Sequence, residues 1–180
     1  MLFRSFVVND SLYTDTLPKT SLSEEVYTGE IHAFTELHLE IASRYYGKAA
    51  DTSADAVSAL NTMLAQDGFV LYVPRGVHVE RPVQLINIFR STVDLMANRR
   101  VLIIIEPHAS ARLLVCDHSM DDIKFLATQM IEIFAEEGAF FDYYDLEESS
   151  ASTTRFSSLY VEQTASSNVL VNDRDRKSVV

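Results

Sequence analysis

The second half of the chain repeats itself at an interval of 29 residues. The three copies begin at Val101, Met130 and Leu159. Each copy contains an apolar segment, a few polar residues, a corner of small residues and a second apolar segment. The corners are Ala109–Ser110, Gly138–Ala139 and Ser167–Asn168. A unit this short cannot bury its apolar face alone, so the repeat predicts a coil in which each copy forms one stacked turn.

An earlier copy lies in "DGFVLYVPRGVHVERPVQL", residues 67–85. Gly76 and Pro82 stand at its corners, where a regular strand conformation is hard to fit. Pro74 suits an edge position, because no amide hydrogen is needed there for a strand ladder. We interpret Gly68 as the end of the preceding helix, since glycine adopts a left-handed conformation at little cost.

These segments predict a mainly β chain, a right-handed parallel β-helix preceded by a small N-terminal helical region. An antiparallel sandwich also uses many short strands. The regular repeat disfavours it, and so does the lack of Asn-Gly or Asp-Gly hairpin loops between strands, since the one Asp-Gly follows a helix. We predict an N-terminal helical region over residues 1–66, apparently incomplete coils over 67–173 and a tail over 174–180.

The first predicted helix spans Glu30 to Tyr46 and ends at Gly47. It carries a loosely helical apolar stripe formed by Ile31, Phe34, Leu37, Leu39 and Ile41. The strand "VLIIIE" in the coil is apolar on both faces, although only one face of a coil strand points inward. We therefore expect the N-terminal helices to cover its outer residues, Leu102 and Ile104.

The second predicted helix lies in "TSADAVSALNTMLAQDG". Thr52 and Asp55 have the spacing of a capping box, which satisfies free amide groups at a helix start. Val57, Leu60 and Leu64 then recur on one face, and we expect that face to be the buried one.

Acidic residues outnumber basic ones by 26 to 15, and the formal net charge is −11. Such a surface repels nucleic acid and anionic membranes, so we expect neither partner. The only cysteine is Cys116, which excludes an internal disulfide. The N-terminus lacks a signal-peptide pattern, and the longest apolar run, Val101 to Ile105, is too short for a membrane span. We therefore expect a cytoplasmic protein.

Cys116 and His118 form the most suggestive local cluster. Two residues apart on a strand, they share a face and can reach one metal ion, while Asp117 points the other way. Two ligands do not close a metal site, and a buried free cysteine usually acts as a small hydrophobe. No nucleotide-binding loop or nucleophile elbow is present. We predict no catalytic residues and no metal ligands, and we assign no cofactor-binding residue.

The segment "FFDYYDLEESS" alternates aromatic and acidic residues. On a strand, Phe140, Asp142 and Tyr144 share one face, and Phe141 and Tyr143 share the other. An exposed aromatic face can serve as a platform for a sugar. Aromatic stacking between coils, together with a covered outer face, is the interpretation that we favour.

The segment "LNTMLAQDGFVLYVPRGVHVERPVQLINIF" resembles the segment that leads into the coil in the SufB/SufD family of iron–sulfur cluster assembly scaffolds. The matching residues are Leu60–Asn61, Asp67–Gly68, Val73–Pro74, Gly76–Val77, Glu80 and Pro82. "RRVLIIIEPHASARLLVCDH", "FLATQMIEIFAEEGAFFDYYDLEESSAST" and "SSLYVEQTASSN" look like successive coils of that family. The resemblance runs from about residue 52 to residue 172, and the lack of a cysteine-rich N-terminal region makes SufD a better match than SufB.

The resemblance implies a right-handed parallel β-helix and a non-catalytic scaffold subunit that acts with SufB-like and SufC-like subunits. The full complex would handle the iron–sulfur cluster. Family members continue through more coils, whereas this chain stops at Val180, so we expect a fragment or a truncated gene product. A coil that ends in this way leaves an open strand edge, and we expect self-association through it.

Two other classes of function remain open at this point. One is a carbohydrate-binding or carbohydrate-processing β-helix, because β-helices often act on such substrates. The other is a chain that binds a metal or a flavin by itself, with Cys116 as the residue to test.

Overall fold

The structure is a computed structural model that describes residues 3–13 and 25–175. Three short helices lie in the N-terminal part: α1 (Ile31–Leu37), α2 (Leu39–Tyr45) and α3 (Ala56–Leu64). The strands are β1 (Phe3–Val8), β2 (Ser11–Tyr13), β3 (Tyr27–Glu30), β4 (Phe69–Val73), β5 (Val83–Phe89), β6 (Leu95–Ile105), β7 (Ser110–Ser119), β8 (Phe125–Ala135), β9 (Phe140–Glu148), β10 (Thr153–Gln163) and β11 (Asn168–Asp175).

The strands form two sheets, and the chain crosses from one sheet to the other after each strand from β4 onwards. Sheet A has the order β11-β9-β7-β5-β1-β2, and sheet B has the order β10-β8-β6-β4-β3. All pairs are parallel except β1 with β2 and β3 with β4. The predicted mainly β parallel coil is therefore confirmed, with about four turns, and the antiparallel sandwich is excluded.

The pairing of β6 with β8 is shifted by one residue from the register that a uniform 29-residue repeat predicts. Val101 pairs with Ile131, not with Met130, and Ile131 pairs with Leu159. Met130 pairs with Arg100 on the outer face of sheet B. A slip of one residue moves a side chain to the opposite face. Because this segment is buried on both faces, its apolar pattern did not determine the register.

The corners predicted at Gly76, Ala109–Ser110, Gly138–Ala139 and Ser167–Asn168 are tight turns, each closed by a backbone hydrogen bond from the fourth residue to the first. Pro82 is not part of such a turn and directly precedes β5. The bonds from Val77 N to Pro74 O and from Ala139 N to Glu136 O measure 3.1 and 3.0 Å. The third residue of each turn has a positive φ, at Gly76, His108, Gly138 and Ser166. A positive φ at this position is typical of a type II turn and explains the use of glycine at two of these corners.

Gly138→Ala is expected to cost more stability than Gly76→Ala. A left-handed alanine costs about 1–2 kcal/mol at either position. A Cβ at Gly76 meets nothing within 4 Å, whereas a Cβ at Gly138 lies 2.5 Å from Nδ1 of His108. Urea unfolding measures both losses. Adding His108→Ala to Gly138→Ala should reduce the loss of stability to the loss measured for Gly76→Ala. Equal losses of stability for Gly76→Ala and Gly138→Ala would contradict this explanation.

The coil encloses one apolar core between the two sheets, and the helices cover the outer face of sheet B. Leu102 and Ile104 are buried against Ile31, Phe34 and Tyr45. The prediction that the N-terminal helices cover these outer strand residues is therefore confirmed.

The first predicted helix is two helices, α1 and α2, that meet at His38. Its end at Gly47 is confirmed, because the helix closes at Tyr45 and Gly47 has a φ of +70°. The predicted stripe is wrong at Leu37 and Leu39, which are both 69% exposed. The break at His38 rotates the two segments, so that one helical periodicity does not describe both.

The second predicted helix has a different cap and a different buried face. Asp55 is itself the N-cap and accepts hydrogen bonds from Val57 N and Ser58 N, so the predicted Thr52–Asp55 box is wrong. The helix buries Ser58 and Asn61. Its predicted apolar face is instead partly exposed, with Val57 half-buried and both Leu60 and Leu64 exposed.

Gly68 does not end this helix, since α3 closes at Leu64 and Gly68 has no positive φ. A Cβ at Gly68 would lie 2.4 Å from the carbonyl oxygen of Arg100 and 2.6 Å from Cδ1 of Ile31. The residue is glycine because the backbone of the adjacent strand approaches closely there.

The N-terminal region contributes strands as well as helices. β1 adds to sheet A in parallel with β5, while β2 and β3 run antiparallel to β1 and β4 and close this end of the coil. Residues 14–24, and residues 176–180 of the predicted tail, lie outside the described residues. Among the helices of the described ranges, none has the length and apolar character that crossing a bilayer requires.

Stability is expected to fall as the pH rises from about 10 to about 12. Burial, and after it the charge of Glu30, raises the pKa of Tyr27 from 10.0 to about 12. Burial and then the charge of Glu106 raise the pKa of Tyr72 from 10.0 to about 12. The folded chain therefore keeps protons that the unfolded chain releases, so the free energy of unfolding decreases across this window. Urea unfolding at several alkaline pH values measures the slope. Tyr72→Phe should make it shallower, and an unchanged slope would contradict the prediction.

Candidate functional site

The predicted pair Cys116 and His118 lies on the outer face of β7, and Asp117 points into the coil, as expected from strand alternation. Cys116 is buried, and burial raises the pKa of its thiol. Its Sγ accepts a weak hydrogen bond from Nε2 of Gln84 at 3.6 Å. Nδ1 of His118 lies 3.6 Å from a carboxylate oxygen of Glu148. Within residues 3–13 and 25–175, no three His, Cys, Asp or Glu residues are grouped to hold a metal ion.

The predicted alternation in "FFDYYDLEESS" is confirmed. Phe141 and Tyr143 are buried inside the coil, and Phe140 is 59% exposed on the outer face. Phe140 lines an open groove together with Arg112 and Asp142. The favoured interpretation is wrong in two respects. Within the described residues neither Phe141 nor Tyr143 stacks on another aromatic ring, since both pack among aliphatic core residues, and the outer face is not covered at Phe140.

A layer of charged side chains crosses the interior of the coil, and sequence reasoning missed it. Asp117 is fully buried and lies 3.1 Å from both Arg99 and Arg155. Arg155 also forms an ion pair with Asp145. Asn87 donates to Asp117 at 2.6 Å. Two cations and two anions thus compensate one another between the two sheets.

Burial acts on these charges in opposite directions. It lowers the pKa of Arg99, against the attraction of Asp117, and it raises the pKa of Asp145, against the attraction of Arg155. Arg99 also lies over the ring of Phe89, with its guanidinium carbon 3.9 Å from the ring centre. Because the four charges cancel, this layer offers no net charge to a bound ion.

Three buried polar atoms next to this layer have no hydrogen-bond partner among the described residues: Nη2 of Arg99 and both amide atoms of Gln129. The two residues are neighbours in the β6–β8 register. Buried polar groups in folded proteins are normally satisfied by protein or by ordered water.

A second buried ion pair joins the helices to the coil. Glu132 on β8 lies 3.1 Å from Nη2 of Arg100. Its two carboxylate oxygens also accept backbone hydrogen bonds from Gly47, Ala49 and Ala50, at 3.1, 3.1 and 3.2 Å. One carboxylate therefore holds the loop that follows α2 against sheet B.

The two ends of the coil differ. Within the described residues, β10 pairs only with β8, and β11 pairs only with β9. Val161 and Val171, which continue the inward-facing rows, are 36% and 43% exposed, whereas their ladder partners Ile133 and Tyr143 are buried. This end therefore presents unpaired strand edges together with uncovered core side chains.

Comparisons with known proteins agree on one family. The chain matches the family described as SufBD protein N-terminal region over residues 2–85. It matches the SUF system FeS cluster assembly, SufBD core domain, over residues 88–175.

Two curated relatives match parts of the chain. The iron–sulfur cluster assembly SufBD family protein slr0074 of Synechocystis sp. is 30% identical over 137 residues, which cover 74% of this chain and 28% of that protein. The iron–sulfur cluster assembly protein SufD of Bacillus subtilis is 33% identical over 97 residues, which cover 50% of this chain and 22% of that protein. The chain thus spans about a quarter of the length of the curated relatives it matches.

Proposed function

Because this chain belongs to the SufBD family, we propose that it takes part in iron–sulfur cluster assembly as a non-catalytic scaffold subunit that acts with SufB-like and SufC-like proteins. The cluster is the cargo of the complex in this proposal, and the chain contributes a rigid surface. The match to both family regions supports assembly over the carbohydrate alternative.

The observation that carries the scaffold role is the match of residues 2–85 and 88–175 to the two SufBD family regions. Within the described residues, the outer edges of β10 and β11, the open end of the coil, are unpaired, and they offer a way to test contact with another chain. Strand edges with free backbone groups pair readily with another chain. The exposed Val161 and Val171 lie in the rows that a further coil would bury. We propose that this end stacks on a coil of another subunit, or on the same end of a second copy when the chain is alone.

Adjacent residues on β11 give a matched test. Val171 faces inward and is 43% exposed, whereas Leu170 faces outward and is 46% exposed. A coil stacked on this end would bury Val171 and leave Leu170 outside. Val171→Glu is therefore expected to abolish association, and Leu170→Glu is expected to preserve it.

The measurement is co-purification of the co-expressed chain with SufB-like and SufC-like proteins, with light scattering of the chain alone for self-association. If Val171→Glu loses both co-purification and self-association while Leu170→Glu keeps them, the open end is supported as the contact. Equal behaviour of the two variants would exclude this end as the contact. Failure of the unmodified chain to bind either protein would contradict the proposed partners.

A further inference from the structure

The two buried carboxylates of the interior charge layer lie on sheet A, and each faces an arginine on sheet B. Asp117 on β7 lies 3.1 Å from Arg99 on β6, and Asp145 on β9 pairs with Arg155 on β10. These four side chains are 6% exposed or less. A buried ion without its counterion is costly, so a carboxylate inside this coil needs a cation from the opposite sheet.

Asp173 continues the row of Asp145 at the open end of the coil. The two residues are partners in the ladder of β9 and β11, so both side chains point into the coil. Burial raises the pKa of Asp145, and the charges of Asp117 and Asp173 add to this rise, against the attraction of Arg155. Asp173 is thus close enough to act on the charge layer, although it is itself exposed.

The cation that would face Asp173 is missing from the described residues. Among them, Asp173 has no ion-pair partner, whereas Asp117 and Asp145 each have one. Arg155 stands opposite Asp145, and β10 is the last strand of sheet B in the described ranges. The position opposite Asp173 therefore belongs to a strand that would add to the unpaired edge of β10.

We propose that the coil which stacks on this end carries an arginine at the inward position beside Arg155, and that this arginine pairs with Asp173. The inference rests on the proposed function and names the chemistry of the partner at that contact: a strand parallel to β10 with this arginine and with an apolar side chain over Val161. Arginine fits better than lysine, because its planar guanidinium can bind two carboxylates at once, as Arg155 does with Asp117 and Asp145.

A second copy of this chain does not supply such an arginine. When two like ends meet, each brings an inward-facing Asp173. The inward arginine near this end, Arg155, already pairs with Asp117 and Asp145. Two carboxylates buried without counterions disfavour the contact, so self-association is expected to be weaker than binding to a coil that carries the arginine.

Asp173→Asn removes the charge and keeps the size of the side chain, and its two expected effects have opposite signs. Binding to the co-purified SufB-like and SufC-like proteins should weaken about tenfold, because the arginine of the partner loses its carboxylate. Self-association, measured by light scattering over a concentration series, should strengthen about tenfold, because the like ends no longer bury two charges.

Glu162→Gln is the matched control. Glu162 lies on β10 at the same end, but it points outward and is exposed. The same loss of charge there should change neither association by more than about twofold. Urea unfolding should show that both variants keep the stability of the unmodified chain, since both positions are exposed.

Equal effects of Asp173→Asn and Glu162→Gln on association would overturn the inference. So would weaker self-association of Asp173→Asn, because the occupant of this end would then be a second copy. If the unmodified chain binds neither the SufB-like nor the SufC-like protein, the proposed partners are wrong. Self-association then decides the inference alone, and no gain in Asp173→Asn would overturn it.

Discussion

Glu132→Ala is expected to lower the free energy of unfolding by about 3–5 kcal/mol, the cost of breaking a buried ion pair on one side. The change leaves the buried Arg100 without a carboxylate and removes the acceptor for the amides of Gly47, Ala49 and Ala50. A loss of this size is a large fraction of the stability of an ordinary domain, so the helices should detach from the coil or the chain should unfold.

Urea unfolding followed by circular dichroism measures this loss. Glu162→Ala, at an exposed position on β10, is the matched control and should change stability by less than about 0.5 kcal/mol. Glu132→Gln retains one acceptor oxygen and should fall between the two. Similar stabilities of Glu132→Ala and Glu162→Ala would show that the carboxylate does not anchor the loop.

Asp117→Ala is expected to produce a loss of similar size, about 3–5 kcal/mol. Asp117 is the carboxylate that pairs with both Arg99 and Arg155, and Asn87 donates to it as well. Arg155 keeps Asp145 as a partner after the change, whereas Arg99 is left as a buried cation without a carboxylate.

A compensating change distinguishes this explanation from a simple packing defect. Adding Arg99→Met to Asp117→Ala removes the unpaired charge and should recover part of the lost stability. Asp142→Ala, at an outward-facing and partly exposed position on β9, is the control. A double variant that is no more stable than Asp117→Ala would contradict the role of the charge pair.

The main features of the coil could be predicted because they follow from local pattern. Gly76 and Gly138 mark corners, and the strand around Leu102 and Ile104 is apolar on both faces. By contrast, β1 pairs with β5, more than seventy residues further along the chain. No local signal in residues 3–8 specifies that partner, so the added strand was not predicted.

The buried polar residues could not be predicted because periodicity assigns polar side chains to the outside. The buried face of α3 was predicted from Val57, Leu60 and Leu64 for this reason, whereas the hydrogen bonds of Asn61 to Arg99 and Thr128 bury a different face. Strand alternation did indicate that Asp117 points away from Cys116 and His118, but it did not tell which of the two faces is inward. The two arginine partners of Asp117 lie on other strands, and only the fold brings them together.

The coil, with its helices held against sheet B by Glu132, fits the proposal of a preformed surface for assembly. The charge layer gives each turn a specific register, because an Asp117 shifted by one residue would point outward and lose both arginines. A fixed register keeps Val161 and Val171 aligned at the open end. Under the proposed function, a subunit that stacks there would meet a defined row of side chains.

The scaffold role is tested most directly by anaerobic assembly of clusters from iron and a sulfide source in the presence of the SufB-like and SufC-like proteins. Transfer of the clusters to an apo-ferredoxin is measured by visible absorbance. Adding this chain is expected to raise the amount of cluster transferred, and Val171→Glu should lose that effect while Leu170→Glu retains it. An unchanged yield with the folded chain present would contradict the proposal that it acts as an assembly scaffold.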